Sequence, residues 1–194
     1  MKQFSTPVAL LLLSFGTVVA QNNWTLDKSH SRVGFSVTHM GISEVEGDFR
    51  DFDATVISES DDFNGAEISF VAKVASINTG NERRDNHLKA KDFFNAEEHP
   101  ELTFKGKLHK QGAKYKLKGD LTMHGVTKTV EFDVTYRGKI ATSNGEKAGF
   151  RVNGTINRHD FGLTWSRTTP GGELVVSDEV EIIGKIEIDR KNKA

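Results

Sequence analysis

The chain has 194 residues, no cysteine and a formal charge of −1, with 26 lysines and arginines set against 27 aspartates and glutamates. A length of this order suits one domain, and the missing cysteines exclude disulfides, thiol catalysis and thiolate metal sites. The balanced charge argues against the concentrated basic face that a nucleic-acid partner requires.

Residues 1–20 read as a signal peptide: Lys2 is their single charge, Val8 to Val19 form an apolar stretch broken only by Ser14, Gly16 and Thr17, and Val18-Val19-Ala20 ends in small residues. A transmembrane helix needs about 18 or more consecutive apolar residues, and this core is shorter before it meets Gln21-Asn22-Asn23. Cleavage is expected after Ala20. Gln21 offers no thiol for a lipid anchor, so residues 21–194 are expected as one freely soluble domain without stable membrane insertion.

Period-two alternation then recurs along the mature chain, the mark of half-buried strands. Val33, Phe35 and Val37 share one face, Val45 to Val56 form a further run, and Ala66, Ile68, Phe70, Ala72 and Val74 share another. Glu82 to Phe94 is rich in helix formers and is followed by Pro100, which predicts a short helix over residues 82–94. Strand patterns resume at Leu102 to Leu108, Tyr115 to Leu121, Val130 to Tyr136, Phe150 to Ile156 and Val180 to Ile188, about eight in all. Turn-forming residues at 61–65, 110–112, 143–145 and 170–172 separate several of them, Arg158 to Arg167 reads as a polar-aromatic loop, and residues 189–194 read as a solvated tail. The pattern predicts an all-β protein and leaves sandwich and barrel both open. Gly34, Gly47, Gly119, Gly154 and Gly184, inside otherwise regular strands, favour a curled sheet.

Catalytic signatures are missing. The seven histidines show no pair at H-x-H or H-x-x-x-H spacing, and G-x-S-x-G, S-x-x-K and the phosphate-cradling glycine loop do not occur. Neither a metal nor another cofactor is expected. What stands out instead is the composition of the two irregular segments. Asp85, His87 and Leu88 precede Phe93-Phe94, and Arg158 to Leu163 precede Trp165, which suits the mouth of a ligand cavity.

Several blocks in order resemble the YceI-like polyisoprenoid-binding proteins. They are Trp24-x-Leu-Asp-x-x-His30-Ser31-x-Val33-x-Phe35-x-Val37-x-His39, Val45-x-Gly47-x-Phe49, Ile77-x-Thr79, and Asp85-x-His87-Leu88-x-x-x-Asp92-Phe93-Phe94. His99-Pro100-x-Leu-x-Phe104, Gly119-x-Leu121-x-x-His124-Gly125-Val126-Thr127-Lys128, Asn157-Arg158-x-Asp160-Phe161-Gly162-Leu163 and Val176-x-Asp178-x-Val180 follow, so the likeness spans nearly the whole mature chain. The resemblance implies an extended eight-stranded antiparallel lipocalin-like barrel with an elongated apolar interior and a helix near one end. It also implies a periplasmic location and a long amphiphilic partner: a polyisoprenoid, an isoprenoid quinone or a fatty-acid-like molecule. A homodimer is a further expected state. The Gly-x-Trp signature of true lipocalins is replaced by Asn22-Asn23-Trp24, so the likeness to lipocalins is one of architecture.

On this reading Phe35, Val37, Phe70, Phe104, Phe132, Phe150 and Ile182 are expected to form the apolar tunnel wall. Asp85, His87, Arg158, Asp160 and Trp165 are expected to hold the head group, Arg158 being suited to an anion by its fixed fork of donors. The alternatives are an enzyme acting on a lipid through Asp85, His87 and Asp160, and a ligand-free stress or interaction barrel.

Overall fold

The computed structural model describes residues 22–192, and the expected signal peptide, residues 1–20, lies outside the described residues. In chain order the strands are β1 (Asn22–Leu26), β2 (Arg32–His39), β3 (Ser43–Phe49), β4 (Phe52–Ser58), β5 (Glu67–Lys73) and β6 (Ile77–Asn78). After the helix α1 (Glu82–Lys89) come β7 (Glu101–Gln111), β8 (Lys114–Met123), β9 (Val126–Thr142), β10 (Gly145–Asn157) and β11 (Glu179–Lys191).

These segments fill eight positions around one closed antiparallel barrel. β1 and β2 lie end to end along β11, Leu26 opposite Ile188 and Arg32 opposite Lys185. β3 and β4 lie end to end along that pair, with Phe49 opposite Val33 and Val56 opposite Trp24. β5 and β6 form the third interrupted position, Ala72 opposite Phe52 and Ile77 opposite Phe49. Strands β7 to β11 then follow in sequence order, and β11 meets β1 to complete the ring. Closure removes the long unpaired edges that an open sheet of this size would expose.

The second and third interruptions sit side by side and are stitched to each other. The Arg50 amide donates to the Ser76 carbonyl (3.2 Å) and the Lys73 amide to the Asp51 carbonyl (2.9 Å), so the wall bends without orphaning its backbone groups. The run Val45 to Val56 is therefore two strands and not one. β1 itself, a short and mostly polar segment around buried Trp24, carries too little alternation to be visible in sequence.

Two further expectations are corrected. α1 stops at Lys89 and not at Phe94: the Ala90 amide closes on the His87 carbonyl and the chain reverses, carrying Phe93 and Phe94 inward beneath the helix. A helix as polar as this one has no apolar stripe to bury, and turning back lets the two phenylalanines leave water. At the other end, residues 189–191 extend β11 and pair with Gly145 to Lys147, so the solvated tail begins later than the composition suggests.

Inward residues alternate with outward ones as the pleat demands. Leu102, Phe104 and Leu108 of β7, Tyr115 and Leu117 of β8, Phe132 and Val134 of β9, and Ile188 of β11 are buried in one core.

Candidate functional site

The inward faces do not meet at the barrel axis. They enclose a cavity of ≈ 400 Å³ whose lining is overwhelmingly apolar. Lining residues along β11 run from Val180 to Ile188, and eight steps of about 3.3 Å on a strand tilted roughly 40° span about 20 Å of barrel axis. All seven residues expected in the wall, Phe35, Val37, Phe70, Phe104, Phe132, Phe150 and Ile182, line this space.

The cavity stays open because several phenylalanine rings lie flat against the wall over strand glycines. A Cβ on Gly119 would sit 2.7 Å from the Phe104 ring, one on Gly154 would sit 2.4 Å from the Phe132 ring, and one on Gly47 would sit 2.4 Å from the Phe35 ring. A side chain at Gly47 or Gly154 would drive a ring toward the lumen, and one at Gly119 would also meet the β7 backbone at Lys105 and Gly106.

One end is closed. Phe63, expected in a surface turn, points into the barrel and is 1% exposed, its ring 5.1 Å from Trp24, 5.0 Å from Phe150 and 5.6 Å from Tyr136. Its left-handed backbone (φ 61°) is unusual for a bulky residue and is held in place by its neighbours. The Gly65 amide donates to the Leu108 carbonyl (2.8 Å), and the Tyr115 hydroxyl donates to the Asp62 carbonyl (2.6 Å). Burial pushes the Tyr115 and Tyr136 phenols above their ordinary pKa.

The other end carries the polar groups. Asn81 caps α1 by accepting the Arg84 amide (3.0 Å), and the Asp85 carboxylate accepts both the Thr79 amide (2.9 Å) and the Thr79 hydroxyl (2.6 Å). These bonds fix the helix so that Arg84 and His87, one turn apart, both line the cavity. The His87 ring packs edge-on to Phe93 (4.9 Å) and Trp165 (5.6 Å), and its Nε2 lies 2.7 Å from Asp92, whose carboxyl is lowered by that bond.

Of the five residues expected at the head group, His87, Arg158 and Trp165 line the cavity, while Asp85 and Asp160 do not. Asp85 is a buried helix tie. Asp160 sits exposed in a short 3₁₀ turn over Arg158–Phe161. The acid–base trio of Asp85, His87 and Asp160 is therefore not assembled at the cavity. Arg158 is nearly fully buried and faces the chain: Nε donates to the Ser177 carbonyl (2.9 Å), one terminal nitrogen to the carbonyls of Leu163 (2.5 Å) and Trp165 (2.7 Å), the other to Asp178 (3.1 Å). Its desolvation lowers the guanidinium pKa, with Asp178 opposing the shift. Four of its five donors are thus committed to pinning the loop that carries Trp165. Arg84, which sequence reasoning passed over, keeps more of its fork free: Nε donates to Thr79 Oγ1 (2.7 Å) and one terminal nitrogen to the Thr79 carbonyl (2.9 Å). The capping Asn81 three residues before it was the available signal that Arg84 sits on the first turn of a fixed helix. His39 and Thr79 complete the polar rim.

Among the described residues, one group of potential metal ligands converges, Asp27, His30 and Glu187 on the outer wall. The Lys147 ammonium already occupies the centre of this group, 2.7 Å from both Asp27 and Glu187 and 2.8 Å from Asp189, so the chain's own cation stands where a metal ion would.

The YceI-like domain family matches residues 24–188. A UPF0312 protein of Staphylococcus aureus strain MSSA476 is 35% identical over 161 residues, 82% of this chain and 92% of that protein. The crystal structure of a Campylobacter jejuni YceI protein is similar at TM-score 0.69 and 35% identity, covering 87% of this chain and 98% of that one. A polyisoprenoid binding domain from Saccharophagus degradans shares the fold at TM-score 0.63 and 14% identity, covering 86% of this chain and 98% of that one.

Proposed function

The chain belongs to the YceI-like family, and from that premise we propose that it is a periplasmic binding protein carrying one long amphiphile, a polyisoprenoid, an isoprenoid quinone or a fatty-acid-like molecule. The observation that carries this reading is the closed-floored apolar cavity of ≈ 400 Å³ with its polar groups gathered at one end. An apolar-lined space of that size inside an otherwise packed core has room for a chain, and one that fills it recovers about 0.8 kcal/mol for each methylene removed from water. The tail threads toward Phe63 and the head stops at the rim, where Arg84 supplies donors to an anionic or polar group and His87 and Trp165 flank it. Charged outer faces such as Glu181, Lys185, Glu187 and Asp189 of β11 oppose sinking the barrel into a bilayer. Export rests on residues 1–20, and N-terminal sequencing of protein from the periplasmic fraction is expected to begin at Gln21.

Native mass spectrometry of protein purified without detergent tests the function. The expected result is one bound amphiphile per chain, or stoichiometric uptake of added geranylgeraniol or solanesol. An empty barrel that takes up neither these nor palmitate overturns the proposal.

A further inference from the structure

Across most of the outer wall, charges are matched strand to strand. Glu67 of β5 faces Lys107 of β7 (2.9 Å), Lys73 faces Glu101, and Lys116 of β8 reaches Asp133 of β9 (3.0 Å). Opposite charges directly across a pair of strands stabilise the sheet and like charges weaken it. Lys107 and Lys118 face each other across β7 and β8, but Lys107 keeps Glu67 beside it. One longer row of like charges spans three strands. Arg151 of β10 lies directly opposite Lys185 of β11, which lies directly opposite Arg32 of β2, and Arg137 of β9 stands beside them at a β-bulge. Arg32 has a carboxylate, Asp48 at 3.1 Å. Among the described residues Arg137, Arg151 and Lys185 have none within ion-pair distance, and all three are exposed.

The same three cations line a shallow groove of ≈ 280 Å³ with His30 and Gly149, and Glu187 at its edge is already paired with Lys147. The bulge is what shapes the groove. The register shift between Gly149 and Phe150 places the Arg137 Cβ 3.4 Å from where a side chain on Gly149 would begin, so the groove floor at that point is bare backbone. Neighbouring strands are about 4.8 Å apart, so Arg137 and Lys185 flank Arg151 at one strand spacing on either side, close enough for these long side chains to share one small anion.

We propose that this row is a binding site for a phosphate-class anion, free in solution or carried on a lipid headgroup, with Arg137, Arg151 and Lys185 as donors. The site lies on the outside of the barrel and is independent of the interior ligand. Arg151 and Lys185, unpaired and in register with Arg137 beside them at the bulge, weaken the sheet when alone, and a multivalent anion relieves that repulsion.

The test uses the mature full-length protein and the Arg151→Gln/Lys185→Gln double variant. Titration with inorganic pyrophosphate at low salt, followed by NMR of the Gly149 and Lys185 amides, is expected to saturate in the wild type and to weaken about tenfold or more in the variant. Co-sedimentation with phosphatidylcholine vesicles, with and without phosphatidylglycerol, identifies the source. Binding to the anionic vesicles that pyrophosphate displaces assigns the headgroup, and pyrophosphate binding without vesicle binding assigns the soluble anion. Removing the like-charge contact should also leave the variant folded and raise its unfolding midpoint by about 1–2 °C without anion. Saturation in neither arm, or binding undiminished in the variant, overturns the proposal, whatever the interior holds.

Discussion

Arg158 and Arg84 are both guanidinium groups at the rim of one cavity, and they do different work because of what else they touch. Arg158 lies among backbone carbonyls of Leu163, Trp165 and Ser177, acceptors that have no other partner of comparable strength in that loop. Replacing it with leucine leaves those carbonyls without donors and Asp178 with only the His159 ring (3.1 Å) beside it. The expected cost is about 3 kcal/mol, read as a lower urea midpoint. Arg84→Gln removes a partly exposed side chain from a capped helix and is expected to leave the urea midpoint nearly unchanged while weakening retention of an acidic amphiphile relative to its alcohol. Equal losses of stability in the two variants would contradict this division. Sequence pointed to Arg158 because its fixed fork of donors suits an anion and it opens the polar-aromatic segment 158–167; that its donors face inward depends on the fold of residues 162–178, which no local pattern encodes. Phe63 was hidden for the same reason: its neighbours Asp61, Asp62, Asn64 and Gly65 are turn formers, and only the three-dimensional position of the loop shows that it points inward.

At the scale of strands, period two was readable wherever one face met the lumen and the other met water, as in β10 and β11. It was unreadable where a strand bends, because Arg50 and Asp51 interrupt a run without changing its composition. The strand glycines were visible in sequence as a group, and the structure gives several of them a shared role: they receive the rings of Phe35, Phe104 and Phe132 and so widen the tunnel. Gly154→Ala is expected to displace the Phe132 ring, to cost about 1–3 kcal/mol, and to shift the bound population toward shorter or unbranched chains. Mass spectrometry of co-purified or competed ligands measures that shift. An unchanged ligand profile at full occupancy would mean that the rings do not set the bore.

For the whole molecule, the ion pairs of the outer wall make stability depend on pH in a definite direction. Lys147, with Ser29 and His30, holds the Asp27 carboxyl well below the usual range, and Lys110 and Ser60 do the same for Asp62. A depressed folded pKa contributes stability above the unfolded value of about 3.9 and loses it as the pH falls further. His30 is raised by Asp27, so its contribution is complete below about 6.5 and fades as the pH rises through its folded value. The thermal midpoint is therefore expected to fall as acid is added below about pH 4, less steeply in Asp27→Asn, and to decline gently above about pH 6.5 in a way that His30→Gln removes. A wild-type profile flat from pH 3 to pH 8, about the span of those transitions, would contradict the assignment.

The ring is closed where Thr25 and Leu26 meet Asp189 and Ile188, in the first and last strands of the barrel. Residues 22–58 can form their own hairpin early, but the strand that completes the wall is the last of the barrel in chain order. Loop closure over more than a hundred and sixty residues makes this seam a late event and the folding of the barrel slow. A polypeptide emerging N-terminus first, from a ribosome or through a membrane pore, consequently cannot seal this interior until β11 has emerged. The same ordering leaves the apolar interior open from the side for the whole interval before that seam pairs.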